Sequence, residues 1–93
     1  MTLDECTTAI RNKVGADSGL AASLKFDCGA DGTIFIDGKS TPNSVSNSAD
    51  SADCNVGITL ENLAAMIQGD LDHGGKLKVT GDMSVAMRLQ RVL

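Results

Sequence analysis

Aromatic residues are almost absent from this 93-residue chain: Phe26 and Phe35 are the only two, and there is no Trp or Tyr. Core volume must therefore come from aliphatics, four Met, three Cys and alanine, and Met fills irregular space adaptably. An interior with so few rigid plates suggests a sparse or hollow core. A basic excess is also missing. Eight Lys and Arg against twelve Asp and Glu give a formal charge of −4. Phosphate backbones repel such a surface, and no basic stripe interleaved with aromatics occurs, which argues against nucleic acid as a partner. The same charge disfavours constitutive attraction to anionic bilayers, while transient membrane contact through one helical face remains compatible with it. No apolar run approaches the roughly 18 residues of a bilayer span. The acidic start, Met1-Thr2-Leu3-Asp4-Glu5, lacks the basic region of a signal peptide. Cys6, Cys28 and Cys54 are odd in number, widely spaced and without a CxxC pair. Reduced thiols and a cytoplasmic location are expected from that pattern.

What is present reads as one globular domain over residues 1–93, with 42% hydrophobic and 22% charged residues. Residues 2–14 read as a helix. Thr2 and Glu5 have capping-box spacing, Leu3, Cys6, Ile10 and Val14 share a face, and Gly15 supplies the stop. From residue 23 the period changes to two: Leu24, Phe26 and Cys28 alternate with polar residues, then Ile34 and Ile36 do so after Asp31-Gly32. Two such runs around Asp-Gly predict a hairpin in which both turn residues tolerate positive φ. The polar stretch 37–53 holds the lone Pro42 and is assigned a weak edge strand around Val45. That strand is expected to neighbour the next alternating run, Ala52, Cys54, Val56 and Ile58. Thr59 caps a second helix over 60–68, which stops at Gly69. A glycine-rich link containing His73 leads to a strand at 76–80 with Leu77 and Val79 inward. Gly81 turns the chain, Asp82 caps, and a last helix runs to the end. Its polar residues Ser84, Arg88 and Arg91 form one narrow stripe, leaving an apolar arc wide enough to meet the sheet and something else.

The chain carries only weak echoes of catalytic and metal-binding patterns. His73 lacks Cys or Glu partners at ligand spacing, so neither a zinc site nor a general base is expected there. Asp27-Cys28-Gly29-Ala30-Asp31-Gly32 superficially echoes a calcium loop, but glycines stand where ligands belong, and a hairpin explains it better. Gly74-Gly75-Lys76-Leu77 lacks the hydroxyl and the upstream glycine of a phosphate loop. All three cysteines fall on apolar phases, without the basic neighbour that activates a thiol. The expectation is a protein that is not an enzyme and needs no cofactor and no metal.

Residues 75–89, from Gly75-Lys76-Leu77 through Gly81-Asp82 to Arg88-Leu89, resemble the C-terminal signature of the sterol carrier protein type 2 family. Ala52-Asp53 through Ile58-Thr59, followed by Gly69-Asp70-Leu71, resembles the family strand that runs into a capped helix. The resemblance implies an α+β fold: a mixed, mostly antiparallel five-stranded sheet with helices on one face, enclosing a hydrophobic tunnel. It also implies a fatty acid, acyl-CoA, phospholipid or sterol-like ligand and no shared catalytic residues. Two departures stand out. Only His73 and Gly74 separate Asp72 from Gly75, where the family usually has a short helical segment, which implies a smaller or more open cavity. The terminus, Arg91-Val92-Leu93, is not a peroxisomal address.

The expected lining of the apolar site is Ile10 and Val14 from the first helix, Phe26 and Ile34 from the hairpin, and Val56 and Ile58 from the fourth strand. Met66 and Ile67 from the middle helix and Met83 and Met87 from the last complete it. The expected function is binding, transfer or sequestration of a lipid or fatty-acyl ligand by a monomer or weak dimer. The alternative is an interaction module that supports a lipid- or isoprenoid-modifying enzyme.

Overall fold

The structure, a computed structural model, describes residues 1–69 and 77–88. Helix α1, Leu3–Val14, begins at the expected capping box: Thr2 Oγ1 accepts from Glu5 N at 3.2 Å, and Thr2 N donates to Glu5 Oε1 at 2.9 Å. A cap of this kind stabilises a helix by about 1 kcal/mol. Its apolar stripe is buried through Cys6, Ile10 and Val14. Strands β1, Ser23–Asp27, and β2, Thr33–Asp37, form the hairpin. Their connection is a 3-10 turn over Gly29–Asp31, closed by Cys28 N donating to Gly32 O at 2.9 Å. Of the pair Asp31-Gly32, Gly32 alone takes positive φ, at 113°.

Strand β3, Ser44–Ser46, exists as expected, but its neighbour is β2 rather than the fourth strand. Strand β4, Cys54–Gly57, pairs in parallel with β1 and antiparallel with β5, Lys78–Gly81, giving the order β3-β2-β1-β4-β5. The expectation for β3 failed because alternation tells a strand which face it buries, not which strand lies beside it. β4 carries a fully apolar phase and belongs in the middle; Ser44 and Ser46 suit β3 to an edge. Arg11 Nη2 covers that edge, donating to Val45 O at 3.0 Å.

Helix α2, Leu60–Ile67, is capped by Thr59 as expected, and helix α3, Met83–Ala86, by Asp82. α1 packs on β2, β3 and α2, and α3 on β4 and β5. The last helix was expected to reach the chain end. Within the described residues it is one turn long and passes into a turn at Met87 and Arg88; Leu89 to Leu93, with Arg91, lie outside them, as does His73.

Candidate functional site

The sheet register builds an apolar floor of two rows. One runs Val45, Ile36, Leu24, Cys54; the other runs Ile34, Phe26, Val56, Val79. All of these side chains are buried except Val79, at the β5 edge, which is half-buried. The first row ends at Gly81, which has no side chain. The floor therefore thins at β5, and α3 stands over that thin end with Val85 buried against the core. Leu63 and Ala64 of α2, with the α1 stripe, complete the same cluster.

Of the expected lining, Ile10, Val14, Phe26, Ile34, Val56 and Ile58 are brought together in this core, each at most 5% exposed. Met66 and Ile67 are half-buried and pack against it. Met83 and Met87 stay outside the cluster, 52% and 85% exposed. Leu77, Val79 and Ala86 are half-buried against the core at the β5 and α3 end. Leu20 is also fully buried. It lies between α1 and β1, where the sequence has no periodicity to mark it.

Two open concavities lie elsewhere. One, of about 520 Å³, is lined by Leu60, Glu61, Ala64, Ala65 and Gln68 of α2 and its cap, with Met1 and Asp31. The other, of about 440 Å³, follows the outer face of α1 from Asp4 to Asn12 and also meets Met1. Neither includes any of the ten residues expected to line the site. Both have the volume of ligand sites without the enclosure that buries most of a ligand.

The Gly81-Asp82 corner is held by charge and by backbone. Asp82 N donates to Asp53 O at 2.8 Å, and Asp82 Oδ1 accepts from Ser84 N at 2.9 Å and Ser84 Oγ at 2.6 Å. Arg88 Nη1 donates to Leu20 O at 2.8 Å, tying the far end of α3 to the segment before β1. Asp53 is paired with Lys39 at 2.9 Å and accepts from Ser23 N at 3.2 Å. The hydrogen bond from Lys39, and then that from Ser23, hold the Asp53 carboxyl below the usual carboxylate range; bonds from Ser84 do the same for Asp82. A carboxylate depressed in the folded state stabilises it above the ordinary pKa near 4, and the contribution disappears as pH falls through the lowered value. Asp53→Asn is therefore expected to be less stable than the wild type at pH 7. Its stability should also change less between pH 5 and pH 2, as urea denaturation across that range would report.

Burial pushes the thiols the other way. Cys28 is raised to about 11, chiefly by desolvation, and Cys6 and Cys54 are raised for the same reason. At neutral pH all three are protonated, buried and unpaired, a state unsuited to nucleophilic attack. Among the described residues no group of three His, Cys, Asp or Glu is placed to hold a metal ion. Nor is any described helix long and apolar enough to cross a membrane.

Comparison with known proteins gives a consistent result. A family model described as the SCP-2 sterol transfer family matches residues 11–93. No curated protein shows significant similarity in sequence. Among solved structures, the crystal structure of Sterol Carrier Protein 2 Like 2 from Aedes aegypti is 22% identical, with a TM-score of 0.73 over 98% of this chain and 95% of that one. A solution structure of palmitated SCP2L2 from the same mosquito is 24% identical, with a TM-score of 0.68 over 96% and 91%. A protein described as UbiJ-SCP2, a ubiquinone synthesis protein, is 20% identical, with a TM-score of 0.53 over 89% and 72%. At these identities the structures establish a shared fold.

Proposed function

The chain belongs to the SCP-2 sterol transfer family, and on that premise we propose that it binds a ligand with an acyl or sterol-like body and carries or sequesters it without chemical change. The observation that carries this reading is the partly covered apolar layer that the described residues form where β5 and α3 close the sheet: Leu77, Val79 and Ala86 are half-buried, and Met83 and Met87 are exposed on α3 and its C-cap. Met66, Ile67, Met83 and Met87 form the mouth of the site. Ile10, Val14, Phe26, Ile34, Val56 and Ile58 form the inner wall, repacking to admit a hydrocarbon tail. The flexible thioether side chains at the mouth suit ligands of varied shape. The solved palmitated relative supports an acyl ligand.

The magnitudes are adequate. Burying about 14 methylenes gives roughly 11 kcal/mol gross. Association costs at least about 4 kcal/mol, and the remaining ~7 kcal/mol corresponds to low-micromolar binding. No charged anchor is required, and a carrier that must release its cargo needs no tighter affinity. The buried thiols, kept protonated by desolvation, support a role without covalent catalysis.

Native mass spectrometry after gentle purification tests the reading. Co-purified lipid supports carriage, whereas a bare chain with a bound protein favours the accessory-module alternative. The double substitution Met83→Asp with Met87→Asp is expected to weaken palmitate uptake at least about tenfold, because two charges at the mouth must be desolvated by an apolar tail. Its melting temperature should stay within a few degrees of the wild type, both positions being exposed. Unchanged uptake would remove these residues from the site.

A further inference from the structure

The two open concavities carry a chemistry of their own. Each follows one helix face, from Asp4 to Asn12 on α1 and from Leu60 to Gln68 on α2, a run of about 12 Å in both. They meet at Met1, which is 44% exposed, and α1 packs on α2. The floor is apolar and low: Ala9 on α1, Ala64 and Ala65 on α2, and Leu60 beside them. Side chains this small let another backbone approach closely. The rim is acidic. Asp4, Glu5, Asp31 and Glu61 are all exposed, and neither lining includes Lys, Arg or His. Glu5 is engaged within the α1 capping box by Thr2 N, with the α-amino group of Met1 a weaker neighbour. The ion pair among the described residues is Lys39 with Asp53; Asp4, Asp31 and Glu61 take part in none there.

We propose that this surface receives an amphipathic helix of a protein partner, its apolar stripe on Met1 and the alanines and its Lys or Arg residues against Asp4, Asp31 and Glu61. Charge complementarity selects that occupant. The same carboxylates repel a phosphate backbone or an anionic bilayer, and a second copy of this chain, at −4, brings net repulsion. A small ligand needs an enclosure that neither concavity gives. A helix needs none: it seats one apolar face in a shallow groove and leaves its cations solvated at the rim. Since the surface shares no residue with the expected lipid lining, partner docking goes beyond lipid carriage and is independent of it.

Fluorescence anisotropy on the full chain tests the proposal, with a labelled peptide of about 14 residues, three to four helical turns. Its leucines stand at i, i+3, i+4 and i+7, with Lys on the opposite face; a counterpart has Glu for each Lys. The Lys peptide is expected to bind at least about tenfold more tightly than the Glu peptide, and to weaken as salt rises. Asp31→Lys with Glu61→Lys should weaken it at least about tenfold. Asp31→Asn with Glu61→Gln, which keeps the side-chain shapes, should give a smaller loss in the same direction. Asp17→Lys with Asp50→Lys, an equal reversal at exposed acids that line neither concavity, should leave most of the affinity. Amide chemical-shift changes on adding the peptide should centre on Ala9 and Ala65. Equal affinity for the two peptides, equal losses in the two reversal pairs, or shifts centred on Met83 and Met87 overturn the proposal. So does a concentration-dependent dimer that the peptide displaces, because a second copy then fills the groove. Peptide binding at the groove without palmitate uptake supports docking and removes carriage. Palmitate uptake without peptide binding overturns docking alone.

Discussion

Gly81→Val is expected to lower the stability of this protein by about 3–4 kcal/mol, a large share of the roughly 5–15 kcal/mol of a small domain. Gly81 sits at φ 95°, and a Cβ there would lie 2.5 Å from Asp53 O and 3.2 Å from Cys54 Cα. Both obstacles are backbone atoms of β4 or its approach, so no side-chain rotation relieves them. The left-handed backbone alone costs a branched residue about 1–3 kcal/mol. The close contact adds the loss of the hydrogen bond from Asp82 N to Asp53 O that starts α3. At roughly 4–8 °C per kcal/mol, the melting temperature should fall by more than about 12 °C. Gly57→Ala provides the contrast. Its Cβ would meet Lys78 at ordinary contact distances of 3.6 and 3.8 Å, without positive φ, so its melt should lie close to the wild type. Similar losses at both glycines would show that α3 is not anchored through the corner at Gly81.

Phe26→Ala is expected to cost about 3–5 kcal/mol, the range for truncating a buried aromatic. Phe26 is fully buried, registers with Ile34 and Val56, and is one of only two aromatics, so no neighbouring ring takes up the vacated volume. This position also tests the inner wall of the proposed site. A hydrocarbon tail that reaches the core should partly fill the cavity, and a ligand at 100 times its Kd stabilises by about 2.7 kcal/mol. Palmitate should therefore raise the melting temperature of Phe26→Ala more than that of the wild type. Phe26→Leu, with a smaller cavity, should show an intermediate gain and remain folded for measurement. Equal shifts in all three proteins would exclude the inner wall and leave only the proposed mouth at Met66, Ile67, Met83 and Met87.

The readily legible parts of the fold were those set by neighbours within a few residues. Thr2 with Glu5, Thr59 with Asn62, and Asp82 with Ser84 form caps over two or three positions, and each lies where the spacing put it. The buried phase of β1, β2 and β4 followed from alternation alone. The partner of β3 was not legible, because β4 and β2 offer equally suitable apolar phases to a third strand. The hydrogen bond from Arg88 to Leu20 O joins residues 68 apart, and that from Arg11 to Val45 O residues 34 apart; no local pattern announces either. The expected site was legible as a set of apolar residues. Whether such a residue is packed solid or left at an opening depends on what lies across from it, and so Phe26 is buried while Met87 is exposed.

By itself the sequence determined the helices and strands, which face each buries, and the family, because caps, turn residues and hydrophobic periods act over a few bonds. Tertiary structure alone decided that β4 runs parallel beside β1, that the apolar floor thins at Gly81 and Val79, and that Met83 and Met87 face outward. Those outcomes depend on distant segments competing for the same apolar surface, and that competition is resolved only when the whole chain closes on its core.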